Sequence, residues 1–139
     1  MDARVDANDA LVRAAGAEAA ALRGSGWYAR YLWVLAGGQL VLVPMALLWR
    51  GLLAALVFAV LNLALIGGLS VYAARQTAVR RGFGARHGGV IASWATAFAA
   101  TVALGVSTFE GSVPFAVAGT LWCALPLAAV AVREGRRTA

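Results

Sequence analysis

The sequence predicts an all-α integral membrane protein, in which a short cytoplasmic helix precedes four transmembrane helices packed as a compact bundle of two antiparallel hairpins. Hydrophobic residues make up 62% of the 139 residues and charged residues only 13%, whereas about a quarter of a soluble domain is charged. Four stretches lack Lys, Arg, Asp, Glu and His, at residues 31–49, 52–74, 90–106 and 114–132. About 20 such residues can cross a hydrocarbon core of roughly 30 Å as a helix.

The N-terminal segment, residues 1–26, is predicted to be a cytoplasmic helix followed by a glycine-rich break, and residues 27–139 form the transmembrane domain. The segment contains acids and has no continuous apolar core, which argues against a cleaved signal peptide. We expect the helix over residues 3–22 and the break at residues 24–26. Residues at alternating spacings of three and four form a stripe along this helix: Val5, Asn8, Val12, Ala15, Ala19 and Leu22. The stripe is compatible with a surface-lying helix or with docking to a partner.

Arginine positions predict the orientation. All 12 basic residues are arginine, and only Arg50 falls between the first and second or the third and fourth apolar stretches. Short arginine-rich segments stay in the cytoplasm, so both termini are expected there. Arginine without lysine is typical of GC-rich genomes, and we expect a multi-pass protein of the bacterial cytoplasmic (inner) membrane.

The connections between the helices fit this arrangement. The segment Trp49-Arg50-Gly51 predicts a tight turn between the first two helices. Pro114 suits the start of the fourth helix, where a missing N–H costs nothing. Aromatic side chains are expected at the membrane interfaces, and the cytoplasmic set is Trp27, Tyr28, Tyr31 and Tyr72.

The third helix has a row of small residues at every fourth position, which would allow close approach of another helix. The row is Gly89, Ser93, Ala97, Thr101 and Gly105. We expect packing within the bundle, and a seam between copies remains an alternative. The other two rows of small residues are Ala116, Thr120, Ala124 and Ala128 in the fourth helix, and Gly51, Ala55, Ala59 and Gly67 in the second.

Two amides lie near the midpoints of neighbouring helices, Gln39 in the first and Asn62 in the second. An unpaired amide in hydrocarbon is costly, so we expect an intramembrane polar pair that hydrogen-bonds across the hairpin. The alternative is that the pair lines a path for a solute or ion. Trp122 is also near mid-membrane and should face another helix or a partner.

The loop between the second and third helices is predicted to contact anionic lipid headgroups through Arg75, Arg80, Arg81 and Arg86. This basic loop is explained by topology, so no nucleic acid partner is expected. We expect His87 on the surface of the loop, and Cys123 buried as a small packing residue.

No catalytic residues, metal site or cofactor are predicted, because the groups at membrane depth are amides, hydroxyls and one thiol. Small multidrug transporters are similar in size and helix number, but they depend on a membrane glutamate that the four stretches lack. We expect a non-enzymatic accessory, assembly or regulatory protein that forms a homo-oligomer or binds a larger membrane protein. The alternative is a small-solute transporter or channel formed by oligomerisation.

Overall fold

The computed structural model describes residues 2–24, 26–76 and 82–138, and these segments are helical with short connections and no strand. Four helices are long and apolar enough to cross a membrane. The five helices are α1 (Asp2–Gly24), α2 (Gly26–Leu48), α3 (Leu52–Ala74), α4 (Phe83–Ser107) and α5 (Val113–Thr138).

Helix α2 is the centre of the bundle, and its most extensive partner is α5. Near one end, Leu35 packs in a cluster with Leu127, and near the other, Leu47 packs with Ala116. Residue numbers rise along α2 as they fall along α5, so the two helices are antiparallel. The two predicted hairpins therefore describe the packing incompletely, because the most extensive contact is between α2 and α5, the first and last of the four apolar helices.

The row of small residues in α5 explains this pairing. Ala116, Thr120 and Ala124 are buried, as are Cys123 and Leu127 beside them. Small side chains at this spacing let two helix backbones approach, which is how apolar helices gain contact when lipid competes for larger side chains.

The turn between α2 and α3 lies where the sequence predicted it. Helix α2 ends at Leu48 and α3 begins at Leu52, with Gly51 at a φ of 101°. That conformation strains any side chain with a Cβ, which accounts for glycine in the turn. The side chain of Arg50 pairs with Glu110, which joins this turn to the α4–α5 connection.

Three helices extend further than their apolar stretches toward the end of the bundle that contains Ala74 and Phe83, called here the arginine-rich end. Helix α2 begins at Gly26, α4 begins at Phe83, and α5 continues to Thr138. The apolar stretches identify only the uncharged part of each helix, whereas aromatic and charged residues continue the same helices. Arg86 and His87, expected in a loop, are therefore helical.

Helix α1 covers the predicted N-terminal helix and ends at Gly24, within the predicted break. Two apolar residues of its predicted stripe are not covered by the bundle, since Val5 is 57% exposed and Val12 is 64% exposed. Exposed valines on α1 fit both expectations, a surface-lying helix and a helix that docks to a partner.

Candidate functional site

An aromatic cluster joins three helices at the arginine-rich end. It consists of Trp27, Tyr28 and Tyr31 of α2, Tyr72 of α3, and Phe83 and His87 of α4. The ring centroids of Tyr28 and Phe83 are 5.0 Å apart, edge to face, and those of Trp27 and Tyr72 are 6.3 Å apart. Such pairs each contribute about 0.5–1.5 kcal/mol beyond burial. The expected interface aromatics are thus packed on one another.

His87 belongs to this cluster, and its predicted place on a loop surface is wrong. Its ring stacks on Phe83 at 5.3 Å, and its Nδ1 lies 3.4 Å from the Tyr28 hydroxyl oxygen. Phe83 and His87 are four residues apart, which places them on one face of α4. The four-residue spacing indicates that the two rings share a helix face, but only if the helix begins before residue 90, where the apolar stretch starts.

Glu134 is the acid that sequence reasoning passed over, because it lies among the arginines after the fourth apolar stretch. Its carboxylate lies 3.3 Å from the guanidinium of Arg86 on α4 and accepts a hydrogen bond from Arg137, at 3.4 Å. The Glu134 side chain is only 10% exposed. A buried carboxylate needs such partners, and two cations sharing one anion leave the group with net positive charge. We call these three residues the charge cluster.

The row of small residues in α4 packs inside the chain over only part of its length. Thr101 and Gly105 are buried, whereas Gly89 and Ser93 are exposed. A Cβ at Gly105 would collide with Leu47 of α2, but a Cβ at Gly89 would meet nothing within 4 Å. The predicted close contact is therefore confined to the part of the row distant from the arginine-rich end.

The open part of that row lines a groove between α4 and α5 with a volume of about 530 Å³. On α4 the lining combines small side chains with Val90 and Trp94, on α5 it is mostly larger apolar side chains, and Arg86 lies at the arginine-rich end. The α4–α5 groove is lined chiefly by Gly89, Ser93 and Ala97 of α4 and by Trp122, Pro126 and Val130 of α5. Trp122, expected to face another helix or a partner, is 68% exposed at the groove.

The predicted hydrogen bond between Gln39 and Asn62 is not formed. Gln39 is fully buried, and its Nε2 donates to the carbonyl of Leu35 in its own helix, at 3.3 Å. Its Oε1 is buried with no hydrogen-bond partner in the described part of the chain. Leu65 of α3 lies against the neighbouring Gly38, so the α2–α3 contact at this depth is filled by an apolar side chain.

Cys123 is buried, as predicted, and its Sγ lies 3.7 Å from the Thr101 hydroxyl oxygen. That hydroxyl donates to the carbonyl of Ala97 at 2.7 Å. Within the described ranges, no three His, Cys, Asp or Glu side chains are close enough to share a metal ion.

The four arginines predicted to contact lipid headgroups have different positions. Arg75 is exposed just after α3, and Arg86 is half-exposed in the charge cluster. Arg80 and Arg81 fall outside the described residues.

The fold and these sites define a class: an all-helical protein with four apolar helices long enough to span a membrane. No family model, curated protein or solved structure matches the chain. The helices and their surfaces are therefore the features that indicate a function.

Proposed function

We propose that the chain is a four-pass protein of the bacterial inner membrane with a non-enzymatic accessory, assembly or regulatory role, and that it acts by associating with another copy of itself. Both termini are in the cytoplasm. The membrane setting is supported by the large apolar side chains on the outside of the bundle, such as Leu52 at 79% exposed and Leu63 at 71% exposed. Soluble monomers rarely expose contiguous apolar surface on this scale.

The space between α3 and α4 is the feature that supports association of two copies. Helix α3 buries only Ala54 and Leu69 among its described residues. The two helices approach each other at few points, and one of these is the stack of Phe58 on Phe98, at 6.2 Å between ring centroids. Where they separate, toward the α2–α3 turn, they leave a cleft of about 440 Å³.

Small residues at this α3–α4 cleft suit it to a helix. Ala55 lines the cleft, and Ala55 and Ala59, from the predicted row of α3, are both exposed. The opposite wall consists of Phe98, Val102 and Val106 of α4. Small residues allow a helix from a second copy to approach the backbone closely. A homo-oligomer uses surface already present in the chain and needs no unidentified partner.

Measurement of oligomeric state tests this proposal. The double substitution Ala55→Leu and Ala59→Leu should convert purified oligomer to monomer in native mass spectrometry. Val60→Leu also enlarges an exposed side chain of α3, and it should leave the oligomer intact. A wild-type chain that is monomeric in both detergent and lipid nanodiscs would contradict the proposal.

A solute path is the rival function, and the position of Gln39 weighs against it. Gln39 is fully buried, so no water-sized space adjoins its side chain within one copy. A conducting path would need polar groups facing such space. The test is solute flux into liposomes that contain the chain. Flux with wild type that is abolished by Gln39→Leu would favour the solute path.

A further inference from the structure

We propose that the α4–α5 groove binds one anionic phospholipid, with an acyl chain between the two helices and the phosphate at the charge cluster. This inference rests on the membrane setting of the proposed function, but not on the association of copies.

The shape of the groove suits a chain of methylenes. Gly89, Ser93 and Ala97 leave room along α4 beside the larger Trp94, and the rise from Gly89 to Ala97 is about 12 Å. Trp122 and Val130 form the facing wall on α5. The volume of about 530 Å³ is within the range of sites that enclose small ligands. Apolar walls at membrane depth favour an apolar occupant over water.

The contact between α4 and α5 closes one end of the groove. A Cβ at Gly119 of α5 would lie 2.5 Å from the Thr101 side chain of α4, so the two backbones are close there. The groove therefore ends at this contact. A helix needs about 8–10 Å between axes along its length, whereas a single acyl chain can end inside a space closed at one end.

The open end of the groove carries the charge that a phosphate requires. Arg86 lines the groove and its side chain is 50% exposed. Glu134 is shared between Arg86 and Arg137, so one positive charge remains uncompensated. Guanidinium groups bind phosphate oxygens with several directed donors. Positive charge at the arginine-rich end and apolar walls beyond it match an anionic phospholipid, whose headgroup would lie at the cytoplasmic surface and whose acyl chain would lie between the helices.

Lipid retention by the full-length chain in native mass spectrometry tests the proposal, using phosphatidylglycerol and phosphatidylcholine as probes. Wild type should retain one phosphatidylglycerol in preference to phosphatidylcholine. Ser93→Leu fills the groove from an exposed position and should abolish retention of that lipid. Arg86→Gln should lower the preference for phosphatidylglycerol about fivefold, which corresponds to about 1 kcal/mol.

Two control variants separate this site from general effects. Val60→Leu on α3 adds bulk away from the groove, and Arg30→Gln removes an exposed charge of α2 at the same end of the bundle; both should retain lipid as wild type does. Equal retention of the two lipids by wild type, or undiminished phosphatidylglycerol in Ser93→Leu, would overturn the proposal. A Ser93→Leu variant that changes oligomeric state but not lipid retention would assign the groove to a second copy and would also overturn it. If the proposed association of copies at the α3–α4 cleft is wrong, the Ala55→Leu and Ala59→Leu double variant will show it, because its oligomeric state will match that of wild type.

Discussion

The Glu134 carboxylate of α5 lies 3.3 Å from the Arg86 guanidinium of α4. The same end of the bundle holds the aromatic cluster, in which α2, α3 and α4 meet. The ion pair links α4 to α5 at this end, and the rings link α2, α3 and α4, so all four helices are joined there. This end of the protein should therefore be sensitive to substitution.

Glu134→Gln should destabilise the bundle by about 1–2 kcal/mol, because it removes the carboxylate that two guanidiniums share. The measurement is thermal unfolding in detergent, combined with Arg86→Gln in a double-mutant cycle. Arg50→Gln is the matched control, since the Arg50–Glu110 pair is 48% and 63% exposed and should contribute less than about 1 kcal/mol. Equal losses at the two pairs would contradict the role assigned to Glu134.

Phe83→Ala should lower stability by about 1–3 kcal/mol, because the ring contacts Trp27, Tyr28 and His87 at once. Phe109→Ala removes a stacked but 45% exposed ring at the opposite end and should cost less. Melting temperatures of the two variants in the same detergent give the comparison, and a larger loss at Phe109 would show that the aromatic cluster does not hold the helices together.

Gly105→Ala should destabilise by about 1–3 kcal/mol, because the added methyl group collides with the Leu47 side chain and comes within 3.1 Å of the Phe115 ring. Gly89→Ala adds the same group in the same row, where nothing lies within 4 Å, and it should be neutral or slightly stabilising. Circular dichroism melts of both variants test this difference. Similar behaviour would mean that the row packs uniformly.

Gln39→Leu should change stability little or raise it, because the substitution removes a buried carbonyl oxygen that has no partner in the described part of the chain. Combined with Asn62→Leu, the effects should add to within about 0.5 kcal/mol. A coupling energy well above that in a double-mutant cycle would restore the interhelical hydrogen bond that the sequence predicted.

The apolar stretches predicted the four long apolar helices, because a run without charge identifies a helix that can satisfy its own backbone groups in hydrocarbon. The same rule says nothing about Trp27, Phe83 or Glu134, since a helix continues past the hydrocarbon wherever local propensity permits. Apart from Tyr31 and Tyr72, the residues of the aromatic and charge clusters therefore lie outside the predicted stretches.

Pairing of helices was harder to foresee than their existence. The sequence connects α2 to α3 by a short turn, which makes them neighbours, but no local pattern states that α2 contacts α5 most extensively. The row from Gly89 to Gly105 has uniform small-residue spacing, yet its close contact depends on Leu47, a side chain from another helix. Spacing within one helix cannot specify where two helices separate.

Accessibility of engineered cysteines in intact cells tests the central claim, a four-pass membrane protein with both termini in the cytoplasm, most directly. Thr108→Cys lies in the α4–α5 connection, and Gln76→Cys lies just after α3 at the arginine-rich end. A membrane-impermeant maleimide should label position 108 in intact cells and position 76 only after permeabilisation, while buried Cys123 stays unlabelled. Labelling of position 76 in intact cells, with position 108 protected, would contradict the account.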